Sequence, residues 1–124
     1  MSVTNVTNER LHQRCWIWVT AVENVPPREG RVVTVAGREL AIFNLGGRFV
    51  AVDNRCPHKE GPLADGIISG ETIVCPLHGW RIGLADGRVE RPEGTGACVE
   101  RYPTMVDNGV IVVGMPAGDA GAAA

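Results

Sequence analysis

The chain has 124 residues, a formal net charge of −2, 44% hydrophobic residues and 21% charged residues. That length suits one domain with a real core, yet small enough for a bound cofactor to matter to its stability. No basic block points to nucleic acid, no apolar run approaches the roughly twenty residues of a membrane span, and the polar start from Met1 to His12 carries no apolar signal core; the expectation is a cytoplasmic protein.

Sustained helical periodicity is missing. Turn pairs instead punctuate short β-branched runs, the pattern of many small strands. Cys15–Thr20 reads as the first strand, and Pro26-Pro27 as a loop, since neither proline can donate to a ladder. Arg31–Val35 and Glu39–Asn44 follow across Ala36-Gly37, and Gly46-Gly47 returns the chain into Phe49–Asp53. Gly66–Ile68 and Thr72–Val74 flank Ser69-Gly70, Trp80–Leu84 and Val89 flank Asp86-Gly87, and Tyr102–Val106 and Val110–Val113 flank Asn108-Gly109. Asn-Gly and Asp-Gly accept the positive φ angles of tight hairpin turns. The expected fold is therefore all-β, a stack of small antiparallel sheets. Residues 1–12 are polar and residues 115–124 have nothing evident to pack, so both ends are expected to be flexible around a domain at 13–114.

The chemistry concentrates in two short motifs, Cys56-Pro57-His58 and Cys75-Pro76-Leu77-His78, each followed closely by a glycine, Gly61 or Gly79. Both are expected at hairpin tips, as neighbouring fingers. Each supplies one thiolate and one imidazole, which suits a two-iron cluster whose metals take different ligands: Cys56 and Cys75 on one iron, His58 and His78 on the other. A single zinc would use the same residue types, although zinc ligand pairs usually leave two residues between them and Cys56 and His58 leave one. Pro57 and Pro76 stiffen the loops. Gly61 and Gly79 are expected to let the backbone approach the bridging sulfides and to offer their N–H groups there. Replacing thiolate by neutral imidazole removes negative charge and eases reduction.

The remaining candidates read as background. Cys15, beside Trp16, Ile17 and Trp18, and Cys98, between Ala97 and Val99, fit small core residues. His12 is expected to be exposed and unligated, Trp80 to cap a core. Arg55, Lys59, Glu60 and Arg81 lie within reach of the loops by sequence and could meet a redox partner; no substrate site accompanies them.

The run Cys56-Pro57-His58-Lys59-Glu60-Gly61-Pro62-Leu63 with Cys75-Pro76-Leu77-His78-Gly79-Trp80 resembles a Rieske [2Fe–2S] domain. With Trp16-Ile17-Trp18-Val19, Leu40-Ala41-Ile42-Phe43-Asn44, Ala64-Asp65-Gly66-Ile67 and Tyr102-Pro103, the chain is most similar to the small-subunit family of assimilatory NAD(P)H-dependent nitrite reductases. That resemblance implies a [2Fe–2S] electron-transfer subunit beside a large flavin, iron–sulfur and sirohaem subunit that reduces nitrite to ammonium. The alternative is a free Rieske ferredoxin supplying an aromatic-ring dioxygenase; such ferredoxins more often carry phenylalanine where Ile82 stands and lack the Gly61-Pro62-Leu63 and Gly79-Trp80 context. A third reading is an interaction module without a redox task. High-potential Rieske domains add a cysteine to each ligand loop and hydroxyl donors nearby. Here Lys59, Leu77 and Gly79-Trp80-Arg81 stand instead, so the resemblance implies a potential near the bottom of the roughly −150 to +300 mV family range.

Overall fold

The computed structural model describes residues 14–57, 61–77 and 79–116. In chain order the strands are β1 (Arg14–Ala21), β2 (Gly30–Val35), β3 (Arg38–Asn44), β4 (Phe49–Asp53), β5 (Ile67–Ser69), β6 (Thr72–Val74), β7 (Arg81–Gly83), β8 (Val89–Arg91), β9 (Arg101–Tyr102), β10 (Thr104–Asp107) and β11 (Val110–Pro116). Short 3-10 turns at Val22–Asn24 and Leu63–Asp65 complete the described elements, and no helix among these residues is long and apolar enough to cross a membrane. The all-β expectation holds.

The strands form three antiparallel sheets, ordered β1-β11-β10, β2-β3-β4-β9 and β5-β6-β7-β8. The central strands of the middle sheet, β3 and β4, are buried on both faces, which explains the unbroken apolar run Leu40-Ala41-Ile42-Phe43. Strand alternation sends Leu40, Ile42 and Ala51 toward Ile111, Val113 and Met115 of the first sheet. Ala41, Phe43, Val50 and Val52 face Ile73 and Ile82 of the third, and Leu84 just after β7. Removing such side chains from water stabilises the fold by about 1.5–3 kcal/mol each.

Three expectations shift. The last strand runs through Met115 and Pro116, with Met115 paired to Cys15 and fully buried, so the packed domain extends past residue 114. The remaining tail, 117–124, and the segment 1–13, including His12, lie outside the described residues. The expected strand Tyr102–Val106 is two: Pro103 has no N–H to continue a ladder, and the chain passes there from β4 to β11 as partner. Cys98 is exposed and Cys15 half-buried, neither a core residue; Cys98 bridges Arg88 at a position where the pleat sends Val99 inward instead.

One half-buried polar knot ties β3 to β4 and β9. Arg38 donates to the Tyr102 hydroxyl, which donates to Asp53 Oδ1 at 2.7 Å. Burial foremost, and then Asp53, pushes the Tyr102 phenol well above its ordinary value. The unfolded chain thus releases this proton first, near the usual phenol pKa of about 10, so the contribution is complete below that pH and is lost as pH rises above it. Urea midpoints measured between about pH 8 and 11 should fall more steeply for the parent than for Tyr102→Phe. Parallel profiles would refute this.

Candidate metal centre

The two motif loops are closed in the same way. After β4 the Cys56 amide donates to the Gly61 carbonyl at 2.8 Å, and after β6 the Cys75 amide donates to the Trp80 carbonyl at 2.8 Å. Each cysteine thus stands at the root of a loop cinched onto the fifth residue along. Only the second loop is a hairpin tip, since Val74 and Arg81 pair directly. The first joins the middle sheet to the third, which corrects the expectation of two hairpins. Its return is captured by Leu63 and Ala64, whose side chains are buried in the core beside the cysteines. That anchorage prevents the chain from folding straight back onto β4.

Neither cysteine is in a disulfide, and both are only 1% exposed within one apolar cluster. Gly61 brings the loops together. A Cβ there would stand 2.9 Å from Cys75 Sγ and 3.0 Å from the Leu77 side chain, so first-loop backbone lies directly against the second-loop thiol. The Gly79 N–H donates to the Cys75 carbonyl at 3.1 Å, and its φ of +71° supplies a left-handed turn. His58 and His78, with Lys59 and Glu60, lie outside the described residues.

The donor set fits a thiolate-bound metal group. Two cysteines are buried in one apolar cluster, where an uncompensated thiolate charge is costly and a bound soft metal ion removes that cost. Among the described residues no three His, Cys, Asp or Glu side chains gather into a metal-binding group. Leu77, 51% exposed, and the exposed Pro57 and Pro76 form an apolar rim, while Trp80 is half-buried against the core as expected. Two open polar recesses flank the first loop. One, of about 480 Å³, is lined by Arg38, Glu39, Asp53, Asn54 and Arg55 among others, and one of about 270 Å³ has Cys56 and Cys98 in its wall.

Asn54 is the residue that sequence reasoning passed over. Buried just before the first motif, it accepts from the Ala64 amide at 2.8 Å and donates to Glu39 Oε1 at 3.2 Å, clamping both ends of the loop. An Asn beside a turn is so common that only its burial distinguishes it. Asn54→Ala strands the Ala64 N–H and should cost about 1–3 kcal/mol. Thermal melts together with the rate of colour loss under a chelator measure it; an unchanged melt would remove Asn54 from this role.

Residues 15–103 match the Rieske [2Fe-2S] domain family. The ferredoxin component of the naphthalene 1,2-dioxygenase system of Pseudomonas aeruginosa is 32% identical over 98 residues, which cover 79% of this chain and 93% of that protein. A solved structure of Sphingomonas yanoikuyae B1 ferredoxin aligns with a TM-score of 0.74 at 26% identity, covering 82% of this chain and 100% of that one. A structure assigned as an NADPH nitrite reductase small subunit aligns with a TM-score of 0.69 at 22% identity over 80% of this chain and 97% of that one, a likeness of fold alone. Within the family the weight therefore falls on ferredoxins rather than on the nitrite reductase subunit that the motif context suggested. Cinched twin loops, buried cysteines and a family match over most of its length make this chain a member of the Rieske [2Fe–2S] domain family, with a [2Fe–2S] cluster as its cofactor.

Proposed function

We propose that the protein is a Rieske ferredoxin, a one-electron carrier that takes electrons from a flavoprotein reductase and delivers them to the oxygenase component of an aromatic-ring dioxygenase. The observation that carries this reading is the alignment with a dioxygenase ferredoxin component along nearly that protein's whole length. In this assignment Cys56 and Cys75 ligate one iron and His58 and His78 the other. The cluster, when bound, supplies reversible one-electron redox chemistry. The chain's own residues bury the cysteine side with Leu63 and Phe43, and the rim of Pro57, Pro76 and Leu77 restricts water around the loops. Gly61 sets the spacing of the two loops. A cytoplasmic site of action goes with this role.

A second reading, the nitrite reductase small subunit with its large flavin, iron–sulfur and sirohaem partner, is favoured by Gly61-Pro62-Leu63 and Gly79-Trp80. One experiment separates the two. Anaerobically purified protein, verified by iron and sulfide analysis and by EPR after reduction, is added to the reductase and oxygenase components of a naphthalene dioxygenase system lacking their ferredoxin. Restored naphthalene oxidation supports the carrier. No restoration, with nitrite consumption rescued in a nitrite reductase lacking its small subunit, would overturn it.

A further inference from the structure

The outer face of the third sheet carries a feature that cluster binding does not require. One row of register partners crosses all four strands, Ile67 with Val74, Val74 with Arg81, and Arg81 with Arg91, the last pair standing at a register shift between Arg81 and Ile82. The inner row, Ile68, Ile73, Ile82 and Val89, packs into the core, so the Ile67 row faces outward. Ile67 is 72% exposed, and Arg81 and Arg91 are both exposed. Like charges held directly opposite one another destabilise an antiparallel pair. Among the described residues neither guanidinium has an ion-pair or hydrogen-bond partner, whereas Arg31 and Arg48 elsewhere on the surface each hold a glutamate at 2.8 and 2.7 Å. The nearest carboxylate by sequence, Glu90, shares this outer face but engages the adjacent row, Thr72 with Gly83, and forms no ion pair with either arginine. It accepts from the Thr72 hydroxyl at 3.2 Å and lies over Gly83. An apolar half and an unneutralised basic half thus share one row at the root of the second loop, next to Cys75.

We propose that this row, Ile67-Val74-Arg81-Arg91, is a docking surface for a redox partner protein that presents carboxylates beside an apolar side chain. The carboxylates meet Arg81 and Arg91, and the apolar group covers Ile67. The inference rests on the carrier reading, since it places a partner against the flank of the cluster loop. A chain of net charge −2 gains from a local basic pair, because steering depends on the facing surfaces rather than on total charge.

The test uses the cluster-loaded full chain and two acetylated peptides of equal length, one of glutamate alone and one alternating leucine and glutamate. Calorimetric titration is run at about 20 mM and about 200 mM salt, across which screening grows strongly. Arg81→Gln/Arg91→Gln should weaken both peptides about tenfold at low salt, Ile67→Ser should weaken only the alternating peptide, and Arg31→Gln/Arg48→Gln, with the same loss of charge, should weaken neither. Equal losses in the two arginine pairs, or no change with Arg81→Gln/Arg91→Gln, would overturn the proposal. So would tight binding of inorganic phosphate with no peptide binding, which reassigns the pair to a small-anion site. Visible absorption, recorded on every sample, keeps the two readings apart: colourless protein that still binds peptide through Arg81 and Arg91 refutes the carrier and leaves the surface.

Discussion

Cys75→Ser yields a colourless protein that melts far below the parent. Cys75 is fully enclosed, with first-loop backbone at Gly61 pressed against its sulfur. Serine offers a harder, poorer ligand for iron and leaves a hydroxyl in an apolar site without a designed partner. Because the loops draw their order from the bound group, losing it is a folding loss as well, expected to reach about 4 kcal/mol or more, the class to which metal loss belongs. Cys98→Ser is the control. Its exposed thiol touches solvent, so colour should persist and stability should change by no more than about 0.5 kcal/mol. Iron, sulfide and zinc analysis of parent and variants, with EPR of the reduced forms, reads the result. A coloured Cys75→Ser, or a parent that purifies with zinc in place of iron, would remove Cys75 from an iron–sulfur site.

Gly66→Ala should cost about 3 kcal/mol, at the upper end for an added methyl group in a packed interior. At this position the backbone is not strained, since φ is −77° and any residue can adopt it. What forbids a side chain is distance. An added Cβ would stand 2.3 Å from the Val74 carbonyl oxygen and 3.1 Å from Ile73 Cδ1. The carbonyl belongs to the β5–β6 ladder and cannot rotate aside, so either the ladder opens or the Leu63–Asp65 turn lifts from the core. Both events disturb Cys75, one residue beyond. The expected fall in Tm is roughly 12–24 °C for a domain of this size, with faster bleaching. Gly66→Ala melting within a few degrees of the parent would show that the turn yields easily and that the close approach is not a constraint.

Much of this architecture is legible in local chemistry. Ala36-Gly37 and Asn108-Gly109 take positive φ at both positions, as two-residue hairpins demand, and the strands on either side follow. The two Cys-Pro motifs and their glycines announce a metal centre without any coordinates. Other features depend on contacts distant in sequence. Met115 looks like the start of a loose tail until β1 supplies a ladder and the middle sheet a core. Cys98 looks like a core thiol between Ala97 and Val99, yet which of two alternating residues faces inward is decided by the neighbouring strand. The finer choice between family branches is harder to read locally for a related reason. Ile82 and Gly61, read as marks of one branch, are respectively a fully buried core residue and a packing contact, so each also answers to how the domain fills its interior.

By itself the amino-acid sequence determined the all-β class, the turn positions and the four candidate ligands, because each rests on residue type and spacing over a few neighbours. Only the tertiary structure decided that the central strands of the middle sheet are buried on both faces, that the first motif loop bridges two sheets, that Asn54 clamps it, and that Arg81 and Arg91 are register partners with no ion pair among the described residues. These depend on which strands become neighbours, and strand pairing over long separations is chosen by the burial of whole faces rather than by any local run of residues.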